Sequence, residues 1–318
     1  MITDRSPFRT HPPGCRINRQ KMDDGWSVRT FDLRPAPDQP RQGSLLFLSG
    51  FNEFFEKYLE SLCHWQQAGW QVSGFDWRGQ GGSGRLLANP RIGHIDDYAR
   101  LIDDLALIAD RWRATTPGPH VIICHSMGGH LAMRALAEGR ITADAVAMSA
   151  PMLGLPTGPL PTRWARALAA MMCRWGLADH AAWRRAERPL LPGMPRAALL
   201  THDMARWADE AHWFARCPEL ELGPPSWGWL RAALQSVERL EADGVLERIK
   251  LPMLLLMAGK DRLVANGAIQ RAAARLPHAR TLLIAGAYHE LLREADGYRD
   301  QAMNAIDGFL ADVARPPA

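Results

Sequence analysis

The sequence predicts an α/β protein with a mainly parallel, doubly wound sheet and an inserted helical cap. Two observations predict this class. Short apolar runs of strand length alternate with amphipathic helical stretches in the first half and in the last quarter of the 318 residues, a pattern typical of a parallel sheet covered on both faces. The alternation stops between residues 151 and 234, which are Trp-rich, interrupted by Pro and helical in pattern. We therefore expect residues 1–150 and 235–318 to form one core, with residues 151–234 inserted as a cap, or lid.

The first half of the chain predicts a hairpin followed by alternating strands and helices. Two short strands between residues 17 and 31 flank Asp24-Gly25, a dipeptide that favours the positive φ values of a tight turn. After a Pro-rich connection, apolar runs predict strands at 45–51, 71–77, 121–124 and 145–149. Helical periodicity, with Gly69 ending the first helix, predicts helices at 56–68, 95–113 and 129–138.

The last quarter repeats the same alternation. The apolar run at 253–258 predicts a buried strand, and residues 281–284 predict a second one. Helices are predicted at 266–276 and 298–313. We therefore expect the strands of the first half and of the last quarter to belong to one sheet.

The composition is that of an ordinary globular protein, with 47% hydrophobic and 23% charged residues. The five cysteines are odd in number, widely spaced and never arranged as C-x-x-C, so the sequence indicates neither a disulfide framework nor a zinc site. A reducing compartment, the cytoplasm, is expected. The first 16 residues contain no apolar segment like that of a signal peptide, and no apolar run approaches the roughly 20 residues of a membrane span.

The strongest signal for chemistry is the segment from Cys124 to Gly129, which stands between an apolar strand and a helix. In a G-x-S-x-G nucleophile elbow the serine occupies a sharp turn, so the residues two before and two after it must be small. Ser126 has Cys124 and Gly128 at those positions, and we predict that it is the nucleophile. The alternative is a serine that only caps the helix.

An acid and a base follow in the order that such a hydrolase requires. Asp261 comes just after the strand at 253–258, and His289 follows the strand at 281–284. Because the carboxyl ends of parallel strands meet at one edge of a sheet, these residues converge on Ser126. We predict Asp261 and His289 as the catalytic partners of Ser126.

Rival residues are available for both roles. Glu290 is the alternative acid, but its adjacency to His289 makes the required orientation awkward. His125 adjoins the nucleophile, and we expect it to point away on another side of the elbow and to serve packing. The remaining rival histidines are His94, His130, His202 and His212.

Two backbone amides are expected to stabilise the oxyanion. Met127 follows the nucleophile at the start of a helix, so its N–H points to where negative charge develops. Phe51 follows the first buried strand, in a segment positioned to supply the second donor. A simple strand-to-helix loop is the alternative reading of that segment.

The segment from Gly79 to Gly84 matches the dinucleotide fingerprint G-x-G-x-x-G. It is not in the first β-α-β unit and does not open into a helix, and Asp103 and Asp104 lie inside a helix instead of at a strand end. We therefore reject nucleotide binding. The net charge of +4 is also too balanced to indicate a nucleic-acid partner.

Taken together, the motifs resemble the α/β-hydrolase superfamily, in particular its lysophospholipase and monoacylglycerol lipase branch of the bacterial lysophospholipase L2 type. The resemblance rests on residues 76–83, the elbow, Asp261, His289 and residues 218–230, and runs from about residue 26 to 313. The Trp-Gly-Trp segment and the pattern around residues 53–58 point to the branch. The chain departs from many relatives in having Ser49-Gly50 for His-Gly and Cys124 for Gly.

The resemblance implies a serine esterase that cleaves a lysophospholipid or a monoacylglycerol through an acyl-enzyme, with no metal or organic cofactor. An acyltransferase or an esterase of small molecules uses the same triad, and both stay open. A non-catalytic ligand-binding hydrolase fold is disfavoured by the complete triad.

The predicted cap is rich in aromatic and basic residues. It contains seven of the twelve Trp, which suit a wall for an acyl chain or the core of the cap itself. Residues 163–196 carry seven Arg against two acids, and Arg184, Arg185 and Arg188 are expected to attract phosphate. On a helical wheel, the first helix of the cap has an apolar face and an opposite Arg face. The apolar face consists of Trp164, Leu168, Met171 and Trp175. The Arg face consists of Arg163, Arg166 and Arg174.

Such a helix is typical of a core-facing element with a solvated Arg face, but also of one that docks on an anionic membrane surface. Both interpretations stay open. The expected partners are thus a lipid ester and, in the second case, the inner face of a membrane, contacted peripherally.

Overall fold

The computed structural model describes residues 4–158, 160–183 and 197–315. The strands in these ranges are β1 (Cys15–Lys21), β2 (Ser27–Leu33), β3 (Gly43–Leu48), β4 (Trp70–Phe75), β5 (His120–His125), β6 (Ala145–Ser149), β7 (Met253–Ala258) and β8 (Ala279–Ile284). The α-helices are α1 (Leu59–Gln67), α2 (Tyr98–Thr115), α3 (Met127–Ala137), α4 (Thr162–Arg174), α5 (Ala197–Leu200), α6 (Met204–Arg216), α7 (Trp227–Glu241), α8 (Asn266–Arg275) and α9 (Asp296–Ala314).

The described strands form a single sheet in the order β1-β2-β4-β3-β5-β6-β7-β8. Strand β2 runs antiparallel to β1 and β4, whereas every pair from β4-β3 to β7-β8 is parallel. The predicted fold class, a mainly parallel sheet covered by helices, is confirmed. Its parallel part places the loops after β3, β5, β7 and β8 at one edge.

Two apolar layers cover the sheet because successive strand residues point to opposite faces. Leu46 and Leu48 of β3 join the cluster that includes residues of α2, α3, α7 and α8. Leu45 and Phe47 join the cluster that includes residues of α1 and α9. Burial of strands on both faces explains why they are nearly continuous apolar runs in the sequence.

The predicted elements of the core are present with small shifts at their ends. Strand β3 ends at Leu48 instead of residue 51, because Ser49 to Glu53 form a turn fastened by side chains, as described below. The helix predicted at 56–68 starts as a 3-10 turn, Phe55–Tyr58, before α1 begins.

Between β6 and β7, the described residues contain helices and no strand of the sheet. Helix α7 contacts α3 and α4 and passes through position 234, the boundary chosen for the cap, so that boundary falls inside a continuous helix. The division of the chain into a core and an inserted cap stays a prediction. Arg184, Arg185, Arg188 and Arg196 lie outside the described residues. None of the described helices combines the length and the apolar character needed to cross a bilayer.

Candidate active site

Ser126 occupies the sharp turn between β5 and α3. Its backbone has φ 50° and ψ −116°, a conformation that non-glycine residues rarely adopt and that concentrates at functional sites. The Ser126 N–H donates to the Ser149 carbonyl at 3.1 Å, which ties the turn to β6. A Cβ added to Gly128 would stand 2.4 Å from the Leu48 carbonyl oxygen, so the elbow requires glycine there. Ser126 is partly exposed between buried neighbours.

Cys124 fills the position at which the elbow motif has its first glycine. Its side chain is fully buried and its Sγ lies 3.6 Å from the Ala147 carbonyl oxygen. Burial raises the pKa of this thiol, which keeps it protonated and unreactive at neutral pH. A thiol is therefore small enough for the elbow and does not compete with Ser126.

Asp261 and His289 are in direct contact. Asp261 Oδ2 lies 2.7 Å from His289 Nδ1, and its Oδ1 accepts from the N–H groups of Leu263 and Val264 at 2.8 and 3.0 Å. Burial by itself raises the pKa of Asp261, but the charge and hydrogen bond of His289 and the two backbone donors outweigh it, so the pKa is lowered. Asp261 is therefore an ionised acceptor, fixed in orientation by its own loop.

His289 is 4% exposed. Burial by itself lowers the pKa of the imidazole, but the Asp261 carboxylate, with Glu53 and Glu290 further away, more than compensates, so the pKa is raised. Because Nδ1 donates its proton to Asp261, Nε2 is the nitrogen that remains available as a base.

The alternative acid, Glu290, does not pair with His289. Its carboxylate pairs with Lys57 Nζ at 2.9 Å and with Arg293.

The expectation that His125 points away from the site is wrong. The ring centroids of His125 and His289 are 4.7 Å apart, and His125 Nδ1 lies 3.0 Å from the Ser149 carbonyl oxygen. The reason is strand alternation: His125 shares its face of β5 with Ile123, which lies in the same buried cluster as Ala287 of the His289 loop. Burial lowers the pKa of His125 to about 4, so this ring is neutral.

The other rival histidines have partners away from the elbow. His94 pairs with Ser226 and Asp96, His130 with Ser236, His202 with Glu294, and His212 with the Arg9 carbonyl. None of these contacts involves Asp261. His289 is thus the histidine that the described residues pair with this carboxylate.

The turn after β3 presents the Phe51 amide. Its neighbours are occupied: the Gly50 N–H donates to Glu53 Oε2, and the Asn52 N–H donates to Gln80 Oε1 at 2.6 Å. Within the described part of the chain, the N–H groups of Phe51 and Met127 have no acceptor. Both predicted donors are therefore free for a ligand, and a Cβ added to Gly50 would meet the Ser126 Cβ at 3.1 Å, so the turn lies against the elbow.

Sequence reasoning missed the residues that hold this turn. Trp77 Nε1 donates to the Ser49 carbonyl at 2.8 Å, and Gln80 accepts from Asn52. Gln80 belongs to the segment with the false dinucleotide fingerprint, residues 79–84, and Trp77 lies two positions before it. Both side chains fasten the turn. Glu53 was visible only as part of the branch pattern at residues 53–58.

Helix α4 and the residue that follows it carry an apolar stripe, defined here as Trp164, Leu168, Met171 and Trp175. Their exposed fractions are 56%, 38%, 39% and 66%, respectively. On the other side of the helix, Ala169 is fully buried, and α4 contacts α7. The interpretation that the apolar face of this helix is turned to the core is therefore wrong, because Ala169 packs inward and the large apolar side chains are exposed.

The arginines of α4 do not share the face opposite to the stripe. Arg166 forms an ion pair with Glu238 of α7. Arg163 lies beside the stripe, with its guanidinium carbon 5.8 Å from the centroid of the Trp164 ring.

Of the Trp residues expected to pack within the cap, Trp213 and Trp229 are buried. The ring centroids of Trp229 and Phe51 are 4.5 Å apart.

Among the residues that the structure describes, no group of His, Cys, Asp or Glu side chains is arranged to hold a metal ion. Asp261, His289 and Ser126 lie in the loops after β7, β8 and β5, respectively, which parallel strands bring to one edge of the sheet. Their roles as acid, base and nucleophile stay predictions.

The sequence matches a family model and known hydrolases over most of its length. Residues 39–296 match the family model described as Hydrolase_4, serine aminopeptidase, S33. The chain is 33% identical over 274 residues to lysophospholipase L2 of Escherichia coli strain K12, which covers 81% of this chain and 77% of that protein.

Two solved structures share the fold at low sequence identity. A monoglyceride lipase from Saccharomyces cerevisiae has a TM-score of 0.71 at 16% identity, over 96% of this chain and 98% of that one. A carboxyl esterase from Bacillus coagulans has a TM-score of 0.73 at 18% identity, over 95% and 99%. The chain therefore belongs to the serine aminopeptidase S33 family of serine hydrolases, with the α/β-hydrolase fold.

Proposed function

We propose that this serine hydrolase cleaves the carboxylic ester of a lipid-like substrate, a lysophospholipid or a monoacylglycerol, with Ser126, His289 and Asp261 as its triad. The 2.7 Å contact between Asp261 and His289, at the sheet edge that carries the Ser126 elbow, is the observation on which the proposal rests. A histidine oriented by a carboxylate, at the same sheet edge as a partly exposed serine in a sharp turn, supports nucleophilic catalysis.

The reaction follows from these roles. His289 Nε2 takes the Ser126 proton as Oγ attacks the ester carbonyl, and Asp261 holds the imidazole and stabilises its cation. The Phe51 and Met127 amides donate to the oxyanion of the tetrahedral intermediate. Its collapse releases the alcohol, which takes the proton from His289 and leaves an acyl-enzyme. Water repeats the same steps and releases the fatty acid.

The lipid character of the substrate is supported by the relatives that act on lysophospholipids and monoglycerides. It is also consistent with the aromatic contact between Phe51 and Trp229 beside the proposed oxyanion donors. Because the family description names an aminopeptidase, a substrate panel has to include an aminoacyl amide beside lysophospholipids, monoacylglycerols and short p-nitrophenyl esters. We expect the long-chain esters to give the highest kcat/KM.

The triad is tested with Ser126→Ala. We expect this variant to keep its fold and lose at least about 99% of esterase activity, because only the hydroxyl that attacks is removed. A fluorophosphonate probe, which reacts with an activated serine, should label the wild type and leave Ser126→Ala unlabelled. His289→Ala should match Ser126→Ala, since triad members act as a unit. Esterase activity retained in clean Ser126→Ala protein would remove Ser126 from the mechanism.

We further propose that the apolar stripe of α4 contacts an anionic membrane surface peripherally. An exposed row of Trp, Leu and Met with arginines on its flank is the pattern of a helix that lies in the plane of a bilayer interface. Residues 160–178, which span α4, contain three Arg and no acid. Arg166 is paired with Glu238 of α7, so Arg163 and Arg174 are the charges that complement anionic headgroups.

A matched pair of double variants tests this contact. Leu168→Gln with Met171→Gln changes the stripe, whereas Ile17→Gln with Leu283→Gln changes apolar residues of similar exposure, 41% and 49%, on β1 and β8. We expect only the first pair to lose sedimentation with vesicles of anionic phospholipid, while both keep the turnover of a short soluble ester. Wild-type binding should weaken as salt shortens the Debye length from about 8 Å to about 3 Å. Equal binding by both double variants would contradict the contact.

A further inference from the structure

Glu53 fastens the turn that carries the Phe51 amide. Its Oε2 accepts from the Gly50 N–H, and its Oε1 accepts from the Tyr58 hydroxyl at 2.7 Å. The Glu53 side chain is only 5% exposed. A carboxylate with two fixed donors and little contact with water has one orientation, so the turn between Ser49 and Glu53 has one conformation as well.

Glu53 also belongs to a buried charged cluster, the Lys57 cluster, defined by Glu53, Lys57, Glu210, Glu290 and Arg293. Lys57 Nζ is inaccessible to solvent and lies 2.9 Å from Glu290, 3.3 Å from Glu210 and 3.6 Å from Glu53. Arg293 pairs with Glu290 and approaches Glu210 at 3.6 Å. The cluster joins the turn after β3, helix α6 and the loop after β8, and its three carboxylates exceed its two cations.

Two residues of the Lys57 cluster lie close to His289. Glu290 is its neighbour in the chain, and Glu53 Oε1 lies 3.6 Å from His125 Nε2, whose ring packs against His289. The groups around His289 are therefore Asp261 after β7, His125 at the end of β5, Glu53 after β3 and Glu290 in its own loop. His125 is neutral because burial lowers its pKa to about 4, so the field from this side of His289 is negative.

We propose that Glu53 is a positioning residue for the ester hydrolysis proposed above: its carboxylate holds the Phe51 amide in place for the oxyanion and places a negative charge on the His125 side of His289. The inference rests on the proposed function. It assigns Glu53 no contact with substrate. Both effects come from a residue that lies 236 positions before His289 in the chain.

The two effects predict a specific result for Glu53→Gln. Glutamine offers one acceptor oxygen where the carboxylate uses two, so one of the two donors, Gly50 N–H or Tyr58 hydroxyl, faces an amide nitrogen. Loss of a single oxyanion donor costs about 10²- to 10³-fold in kcat, so a loosened turn should cost roughly 10- to 100-fold. KM should change far less, because the ground-state ester does not depend on the oxyanion contact.

The pH profile separates positioning from general damage. Removing the negative charge of Glu53 makes His289 less basic, so the acid limb of kcat/KM should move to lower pH by about half a unit or more. Glu60→Gln is the matched control. Glu60 is also a buried carboxylate with ion pairs, to Arg5 and Arg206, but it has no bond to the turn. That variant should leave the midpoint of the limb unchanged.

The experiment compares wild type, Glu53→Gln and Glu60→Gln with a short p-nitrophenyl ester, after far-UV circular dichroism has shown which variants fold. A lower kcat with a downward midpoint shift in Glu53→Gln alone supports the proposal. An unchanged kcat, an unchanged or raised midpoint, or an equal shift in Glu60→Gln overturns it. If Glu53→Gln does not fold, Glu53→Asp keeps the charge and shortens the reach: a loss of kcat without a midpoint shift supports the proposal, and kcat within twofold of wild type overturns it.

Failure of the proposed function has a separate signature. Fluorophosphonate labelling that persists in Ser126→Ala contradicts the triad, whatever Glu53→Gln does. Labelling that depends on Ser126, together with a normal kcat and pH profile in Glu53→Gln, contradicts only the positioning role.

Discussion

Asp261 and Glu290 both belong to loops at the carboxyl edge of the sheet, and what separates them is their partners. Asp261 accepts two backbone N–H groups and contacts His289 Nδ1, whereas Glu290 pairs with Lys57 and Arg293. A carboxylate that already neutralises two buried cations has no orientation left for a histidine. These partners predict that Asp261, and not Glu290, orients His289.

This assignment predicts a difference between two neutralising substitutions. Asp261→Asn should keep the fold and lower kcat by up to about 10⁴-fold, because an amide at this position favours the wrong tautomer of His289. Glu290→Gln should cost far less, since it leaves the contact between Asp261 and His289 intact. Steady-state kinetics of the two variants is the measurement, and a larger loss in Glu290→Gln would reverse the assignment.

The raised pKa of His289 predicts the pH dependence of the wild type. The imidazole acts as a base only when neutral, and burial, which lowers its pKa, is outweighed by the Asp261 carboxylate. Activity should therefore fall as pH decreases through a midpoint above the ordinary histidine value of about 6.5. The kcat/KM profile of a neutral ester measures it. A midpoint clearly below 6.5 would mean that His289 is not the group that titrates.

At the scale of elements, the elbow depends on the close approach of α3 to β3. Gly128 lies where an added Cβ would stand 2.4 Å from the Leu48 carbonyl oxygen and 2.6 Å from that of Ser49. Both are backbone atoms, which cannot turn aside as the end of a flexible side chain can. The distance between α3 and β3, and with it the position of Ser126, therefore requires that residue 128 has no Cβ atom.

Gly128→Ala should thus destabilise the protein by roughly 1–3 kcal/mol, as overpacking does elsewhere, and lower kcat through displacement of Ser126. Gly308→Ala is the matched control, because an added Cβ in the middle of α9 meets nothing within 4 Å. That change should be neutral or stabilise by up to about 1 kcal/mol, since alanine restricts the unfolded chain. Urea unfolding and a soluble ester assay check both, and equal effects of the two changes would contradict this account of the elbow.

At the scale of the whole molecule, a buried ion network ties segments that are far apart in the chain. Glu60 of α1 pairs with Arg5 near the N-terminus and with Arg206 of α6, and Arg299 of α9 lies 3.6 Å from it. Burial by itself raises the pKa of Glu60, but the hydrogen bonds and charges of Arg206, Arg299 and Arg5 outweigh it and lower the pKa to about 2.

The lowered pKa gives a stability prediction with a definite sign. In the unfolded chain Glu60 titrates near 4.3, so its ion pairs stabilise the fold above that pH, and this contribution is lost as pH falls toward 2. Glu60→Gln should therefore lower the free energy of unfolding at pH 7, and the difference from wild type should shrink steadily between about pH 4.5 and 2. Urea unfolding at several pH values measures it, and a difference independent of pH would assign the effect to packing instead of charge.

The sequence by itself determined the fold class, because strands buried on both faces must be apolar runs and because glycine and small residues mark the elbow. It also indicated Ser126, Asp261 and His289 in an order that the parallel sheet brings to one edge. These signals are local: each depends on residue type and spacing within a few positions. Their catalytic roles stay predictions until the variants above are measured.

Only the tertiary structure decided how side chains are paired across the molecule. Lys57 meets Glu290 at a separation of 233 positions, and nothing in the surrounding residues indicates that partner. The same holds for His125, which packs against His289 because its face of β5 is covered by the His289 loop. It holds also for the stripe of α4, which faces solvent because Ala169 packs inward. Periodicity shows that a helix has two faces, but which face is buried depends on the surface it meets, and that surface is formed by distant parts of the chain.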